Sequence, residues 1–320
     1  MTLAIIIINF RTPQYTIDCL ASLVPERADI PALRVLLVEN NSGDDSTLRI
    51  TEAIAKKGWS DWVEFMPQEK NLGFAGGNNV AIRKILAEPN LPEFVLLLNS
   101  DIIVHRGCLK KSIERMQREP DIGNLSCMLR NRDGSVQNVC RKFARPDRET
   151  VRALGLPYLL PKLFHWADLE DFDWNRETTA RDVEWIGGAF MLLRTDVLKK
   201  IGGLDETFFF YGEDTEFCHR IWQNGWRIYF DPAGEITHFG GGSSDPTRLA
   251  DRRKVILTWI ARFRVQEKCY GKLAAFWIRA MYTLSVSLNL FAMLVTGRRG
   301  SVSWQRTATN LSVLLHPLKI

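Results

Sequence analysis

Three short runs in the first hundred residues are apolar at every position: Leu3 to Ile8, Val35 to Val38 and Phe94 to Leu98. A strand with one wet face alternates polar and apolar residues, so unbroken runs of this length indicate strands covered on both faces. Between them lie stretches with helical spacing. Pro13 to Leu23 has Tyr15, Ile17, Leu20 and Leu23 apolar, a second helix is expected from about Ser46 to Lys57, and the glycine-rich stretch Asn71 to Asn79 leads into a third. A shorter strand is expected at Val63 to Met66. Strand and helix in alternation predict an α/β chain with a doubly wound, Rossmann-like sheet, whose ligands bind beyond the carboxyl ends of the strands. Those ends carry Asn9, Glu39 and the tripeptide Asn99-Ser100-Asp101.

The pattern loosens between Arg141 and Arg181, where prolines mix with the aromatics Phe164, Trp166, Phe172 and Trp174. A long insertion, acting as a lid or substrate wall, is expected there. Order resumes with a strand-like stretch from Val183 to Leu193, a helix from Asp196, a helix from Asp214 to Asn224 and a short strand from Ile228 to Phe230. Gly240 to Ser244 reads as a hinge.

Charge divides the chain. From Arg248 onward there are 13 lysines and arginines against two acids, a net of +11, whereas everything before carries −6. Leu249 to Tyr270 reads as a basic amphipathic helix, and Ala280 to Gly297 runs without a charge between Lys272 and Arg279 on one side and Arg298 and Arg299 on the other. Basic residues at both ends give no orientation for a span, so an in-plane or hairpin helix associated with an anionic membrane surface is expected in preference to a single span. Nucleic acid is the other natural polyanion, but no nucleic-acid-binding motif occurs and none is expected as a partner. With 46% hydrophobic and 25% charged residues, low-complexity disorder and a polytopic membrane protein are both excluded. The six cysteines form no C-x-x-C pair, which argues against a zinc ribbon or a disulfide framework and fits a reducing compartment. The N-terminal apolar run lacks a basic leader and reads as a first strand.

Individually the polar strings are ambiguous. Asp101 after a buried strand is either a turn residue or a carboxylate for a hard divalent cation. Asn71 to Asn79 is either a structural turn or a loop whose backbone approaches a phosphate, though it matches no dinucleotide or P-loop spacing. Asp214, beside Glu213 at a helix start, is a cap or a general base. His238 is a core histidine or a metal ligand.

In order along the chain, however, the blocks Ile7 to Phe10, Val38 to Ser42, Asn71 to Asn79, Leu98 to Asp101, Trp185 to Ala189, Gly202 to Glu206, Gly212 to Arg220 and His238 to Gly241 resemble glycosyltransferase family 2. Their wording is most similar to its bacterial rhamnosyltransferase branch. The resemblance covers roughly residues 1–245 and implies a GT-A catalytic domain there, while the charge and apolar pattern of residues 246–320 make them a helical membrane-associating extension. It implies inverting transfer of L-rhamnose from dTDP-rhamnose to a lipid-linked saccharide at the cytoplasmic face of a bacterial inner membrane. A UDP-sugar-dependent galactofuranosyl or N-acetylhexosaminyl transferase is the alternative.

The resemblance also implies roles. Asn9 and Glu39 would meet the pyrimidine base, and Asn71, Gly73, Asn78, Ser100 and Asp101 would form the rest of the donor site. Asp101 and His238 would hold Mg²⁺ or Mn²⁺ against the diphosphate. Asp214 would be the catalytic base, with Trp185, Gly187, Gly188 and Glu213 on the acceptor side. Two departures stand out. The family's D-x-D motif begins here with Asn99, and the second strand ends in Glu39 where Asp is common. Asn99 also motivates a rival reading as a non-catalytic nucleotide-sugar-binding module. A nucleotidyltransferase would need a basic triphosphate loop that the chain lacks.

Overall fold

The computed structural model describes residues 1–169, 179–209, 211–240 and 252–297, together with 307, 310–312, 314 and 315. Phe172, Trp174, the glycines and serines 241–244, Arg248, Arg298 and Arg299 lie outside the described residues. The chain forms two compact units. One comprises Met1–Arg141, Asp171–Phe209 and Glu213–Pro246, and the other Lys142–Glu170, Phe210–Gly212 and Thr247–Ile320. Lys142–Glu170 thus groups with the C-terminal helices in the second unit.

The first unit opens with β1 (Thr2–Asn9), α1 (Pro13–Leu23), β2 (Ala32–Glu39), α2 (Ser46–Lys56), β3 (Val63–Pro67), α3 (Gly73–Leu86) and β4 (Phe94–Asn99). β3, β2, β1 and β4 lie side by side and parallel. Ile5, Ile6, Ile7, Leu36, Leu37, Leu96 and Leu97 have no exposed surface, as their unbroken runs require. Each such side chain contributes about 1.5–3 kcal/mol. In register, Asn9 pairs with Glu39 and Ile8 with Asn99, so the three polar strand ends share one edge.

The sheet then turns mixed. β5 (Ile102–Val104), α4 (Cys108–Arg118) and β6 (Ile122–Arg130) follow, then the short strands β7 (Val136–Gln137), β8 (Cys140–Arg141), β9 (Arg181–Asp182) and β10 (Trp185–Ile186). The unit closes with β11 (Phe190–Arg194), α8 (Thr195–Ile201), α9 (Glu213–Gln223) and β12 (Arg227–His238). Among the described residues the sheet order is β3-β2-β1-β4-β11-β6-β12-β5, with β8 and β10 paired apart. Two expectations change here. The strand expected from Val183 to Leu193 is broken at Gly187-Gly188 into β10 and β11, which belong to different sheets. The strand expected to stop at Phe230 runs on to His238, because Asp231 to Glu235 forms a bulge where proline and glycine are tolerated.

The second unit holds α5 (Pro146–Ala153), the single turns α6 (Leu156–Leu159) and α7 (Pro161–Phe164), and the long helices α10 (Arg252–Tyr270) and α11 (Lys272–Val295); α10 and α11 take numbers after α8 and α9. Ile278, Tyr282 and Val286 of α11 pack on Trp259 and Phe263 of α10. Most of the uncharged run lies in the 24-residue α11, whose most apolar 18-residue window has a mean hydropathy of 1.5, long and apolar enough to cross a membrane by length and composition.

Candidate active site

The polar strand ends do not point freely outward. Asn9, fully buried, donates from Nδ2 to Ser42 Oγ at 3.2 Å and to Glu39 Oε1 at 3.4 Å, while its Oδ1 accepts from Thr16 Oγ1 at 2.8 Å. Glu39, 3% exposed, accepts Ser42 N at 3.0 Å, Asn41 N at 3.1 Å and the Ser42 hydroxyl. Both side chains hold the turn after β2. The resemblance assigns them to the base, whereas their hydrogen bonds make them the framework on which that pocket would be built. The backbone beside them is strained, with Arg11 at φ 57° and Asn41 at φ 53°, conformations that concentrate at ligand sites.

The glycine-rich stretch is held as a turn by side-chain and backbone hydrogen bonds. Asn40 Oδ1 accepts Leu72 N at 2.9 Å, Asn71 Oδ1 accepts Gly73 N at 2.8 Å, and Phe74 N donates to Phe209 O at 3.3 Å. The N–H groups of Leu72, Gly73 and Phe74 at the start of α3 are thus occupied. Gly73 is required here: its φ is +70°, and a Cβ would lie 2.5 Å from Phe209 O. Asn78 is buried inside α3, bonded to Phe74 O at 2.9 Å, and Asn79 locks the following loop by bonding Leu204 N and O at 2.9 and 2.8 Å. A side chain at Gly203 would meet Asn79 Oδ1 at 2.2 Å.

Asp101 and His238, 137 positions apart in sequence, do meet. β12 pairs His238 with Ile102 of β5, Phe239 N donates to Asp101 O, and His238 Nε2 lies 3.3 Å from Asp101 Oδ1. Ser100 sits beside them with its hydroxyl 3.3 Å from that of Thr12. A chain of hydrogen bonds sets the histidine's tautomer. The Asp133 carboxylate can only accept, so Ser135 donates to it (2.5 Å) and accepts from Asn131 Nδ2 (2.9 Å). Asn131 Oδ1 then faces Gln137 Nε2 (3.1 Å), which leaves Gln137 Oε1 to accept from His238 Nδ1–H at 2.6 Å. Nε2 consequently faces a carboxylate oxygen. Two electron-rich atoms so close require a proton or a cation between them, and a hard divalent ion fits this donor pair. Among the described residues no cluster of three or more His, Cys, Asp or Glu could hold a metal, so phosphate and water would have to complete the shell.

Across the same edge, Ala189 O accepts Asn99 N at 3.0 Å, which brings the Gly187-Gly188 break against the Asn99 turn. Gly188 N donates to Asp214 Oδ2 at 3.2 Å, and Thr215 N donates to Asp214 Oδ1 at 2.7 Å. Trp185 lies half-buried beneath the guanidinium of Arg141, 5.9 Å from the ring centre, and the Arg141 charge reaches Asp214. Glu213, 7% exposed, has a buried Oε2 without a hydrogen-bond partner among the described residues.

The two adjacent carboxyls therefore differ. Burial pushes the pKa of Asp214 up, while the N–H groups of Thr215 and Gly188 and the Arg141 charge favour its ionised form. A hydrogen bond from its own backbone N–H does not offset the surroundings of Glu213: burial, followed by the Asp214 charge, pushes it from 4.5 up to about 8. Near neutral pH Glu213 therefore holds its proton. Because the folded state binds the Glu213 proton more tightly than the unfolded chain does, stability should fall as pH rises from 4.5 to about 8. The slope is at most about 1.4 kcal/mol per pH unit. Glu213→Gln should raise the thermal midpoint at the upper end of that window and converge with the parent at the lower end. Parallel profiles for the two proteins would refute the assignment.

The fold adds Arg11, Asn40, Arg132, Gln137 and Arg141 to the site. Arg132 stacks on Phe239, next to His238, at 4.5 Å from the ring centre. Asn40 lies within the Val38 to Ser42 block, whereas nothing local in the sequence marks Arg11, Arg132, Gln137 or Arg141, which strand pairing or a turn brings in.

The sequence profile of the family described as glycosyltransferase-like family 2 matches residues 2–261. The N-acetylglucosaminyl-diphospho-decaprenol L-rhamnosyltransferase of Mycobacterium tuberculosis is 26% identical over 249 residues, covering 75% of this chain and 77% of that protein. The rhamnosyltransferase WbbL of Escherichia coli is 27% identical over 172 residues, covering 52% and 61%. Among solved structures, a mannosyltransferase from Pyrobaculum calidifontis in complex with GDP-Man and Mn²⁺ superposes with a TM-score of 0.55 at 15% identity, over 98% of this chain and 84% of that one.

Proposed function

The chain belongs to glycosyltransferase-like family 2 and has the GT-A fold, and from that premise we propose that it transfers L-rhamnose, with inversion, from dTDP-rhamnose to a lipid-linked saccharide. The observation that carries the mechanism is the pairing, along one sheet edge, of an electron-rich Asp101–His238 site with a carboxylate, Asp214, held by two backbone N–H groups.

In this reading Asp214 removes the proton from the acceptor hydroxyl as that oxygen bonds to the anomeric carbon. The bond from the anomeric carbon to the diphosphate oxygen breaks on the opposite face, and the nucleoside diphosphate leaves with its electron pair. A divalent cation bound by Asp101 and His238 would neutralise charge developing on that diphosphate. Arg132 adds a fixed positive charge next to His238. Glu213, uncharged at neutral pH, is able to donate a hydrogen bond on the acceptor side. Trp185 offers an aromatic face there, and Gly187 and Gly188 leave room for a sugar because no side chain projects from them. No covalent nucleophile is needed, since inversion takes one displacement.

Rhamnose and the lipid-borne acceptor rest on the two rhamnosyltransferase relatives and, for the lipid, on the diphospho-decaprenol in one relative's name. The exposed apolar α11, only 6% buried over its most hydrophobic window, supports work at the cytoplasmic face of a membrane. A donor screen tests the assignment: purified protein, Mn²⁺ or Mg²⁺, a lipid-linked N-acetylhexosamine acceptor, and release of dTDP or UDP as the readout. Release of dTDP from dTDP-rhamnose is expected. Turnover only with UDP-galactofuranose or UDP-N-acetylglucosamine would replace rhamnose by that sugar, and no turnover with any donor would favour a non-catalytic binding role.

A further inference from the structure

The second unit carries a concentration of uncovered apolar side chains within the stretch whose composition suggests a lid. After α5, Pro157 and Pro161 interrupt the helix into the single turns α6 and α7. Between them they present Leu154, Tyr158, Leu159, Leu160 and Leu163 to solvent, with Tyr158 83% and Leu159 72% exposed. Residues 153–167 contain Lys162 and His165 but no acid. Clustered exposed leucines of this kind mark a contact surface.

This knuckle is fastened to the C-terminal helices. Glu149 of α5, with no exposed surface, accepts the Tyr282 hydroxyl of α11 at 2.9 Å and lies 3.7 Å from Arg262 Nε of α10. Trp277 Nε1 of α11 donates to Thr150 Oγ1 at 2.9 Å, and Gln266 of α10 donates to Ala144 O. On α11 the face opposite Ile278 and Tyr282 exposes Leu273, Trp277, Leu284, Leu288, Phe291 and Val295 at helical spacing. Two apolar surfaces thus belong to one packed body.

We propose that the knuckle of residues 154–163 is a second membrane-inserting element, dipping into the outer part of the same anionic bilayer leaflet that α11 contacts. The proposal rests on the reading of α11 as membrane-associated. Charge complementarity selects lipid over a protein partner. The region from residue 248 onward carries +11, and the knuckle has a lysine and no acid to be repelled by anionic headgroups. Its Tyr158 and the following Trp166 are the aromatic types that settle at the headgroup level. A short apolar knuckle beside a longer apolar helix supplies two anchoring signals, where one gives only marginal attachment.

The test uses the full chain with vesicles of phosphatidylglycerol and phosphatidylethanolamine, some with brominated acyl chains. Leu159→Cys in a Cys269→Ser background is labelled with an environment-sensitive fluorophore; the other five cysteines are buried. A blue shift on adding vesicles, with quenching by brominated lipid, is expected. Leu159→Asp with Leu163→Asp should weaken vesicle binding about tenfold or more while leaving thermal unfolding unchanged, since both side chains are exposed. If the protein sediments with vesicles but the probe stays in water and the double variant binds normally, the knuckle proposal fails and α11 alone is the anchor. If the full chain binds no vesicles, the membrane reading fails with it. A blue shift that needs no lipid and grows with protein concentration would assign the knuckle to a second copy of the chain, and would overturn the proposal as well.

Discussion

Replacing Asp214 with asparagine should lower the transfer rate by about 10²–10⁴-fold, the usual cost of losing a general base, while donor affinity stays close to that of the parent. The substitution keeps shape and volume and removes only the charge. One oxygen remains to accept from Thr215 N or Gly188 N, so α9 and the Gly187-Gly188 break should stay in place. The pH profile gives a second readout. Transfer by the parent should rise with pH as Asp214 ionises, along a limb displaced upward from an ordinary aspartate because burial raises its pKa. The variant should lose that limb. Near-parental turnover in Asp214→Asn would remove Asp214 from the role and shift attention to Glu213. Glu213→Gln separates the two carboxyls: it should affect acceptor KM more than rate, because a protonated Glu213 is not the base.

The metal pair should show the next largest effect. Asp101→Ala leaves His238 as the single protein ligand of the pair, so Mn²⁺ binding, followed by electron paramagnetic resonance with donor present, should weaken beyond the roughly 10–100-fold typical of losing a ligand's hydrogen-bond partner. His238→Ala should weaken it by a comparable or smaller factor, as water can fill a neutral ligand's place. Gln137→Leu should fall in the 10–100-fold range itself, since it removes the acceptor that holds the Nδ1 proton and aims Nε2 at Asp101. Full turnover in saturating EDTA would overturn the assignment of Asp101 and His238 together.

Much of the catalytic unit is legible in the amino-acid order. The parallel half of the sheet follows from unbroken apolar runs, and α1 has the bounds its sequence predicts, Pro13–Leu23, because its apolar positions repeat at helical spacing and proline opens it. What is not legible lies between residues 102 and 130. β6 sits between β11 and β12 and is almost wholly buried, yet Asn124 and Ser126 interrupt its apolar pattern. Asn124 is accommodated by a contact with Cys218 Sγ at 3.6 Å that no local window could foresee. The length of β12 is hidden for a related reason. Asp231 to Gly234 reads as a turn by composition, and only the neighbouring strands β5 and β6 keep it in the sheet as a bulge.

The site divides along the same line. Sequence alone determined which residue types were at hand and where they would surface, because strand periodicity dictates that Asn9, Glu39 and Asp101 fall at carboxyl ends. Tertiary structure alone decided what each does there. It buried Asn9 and Glu39 as turn supports, engaged the N–H groups of Gly73 and Phe74 at the start of α3, and separated Glu213 from Asp214 by giving two backbone donors to Asp214 while Glu213 Oε2 has no partner among the described residues. It also carried His238 along a bulged strand to Asp101, and took Lys142–Glu170 from its place in the catalytic sequence into the C-terminal unit. The physical reason is common to all of these. Periodicity is a property of neighbours along the chain, whereas hydrogen-bond partners and desolvation come from strands and turns that are distant in sequence and adjacent only in the fold.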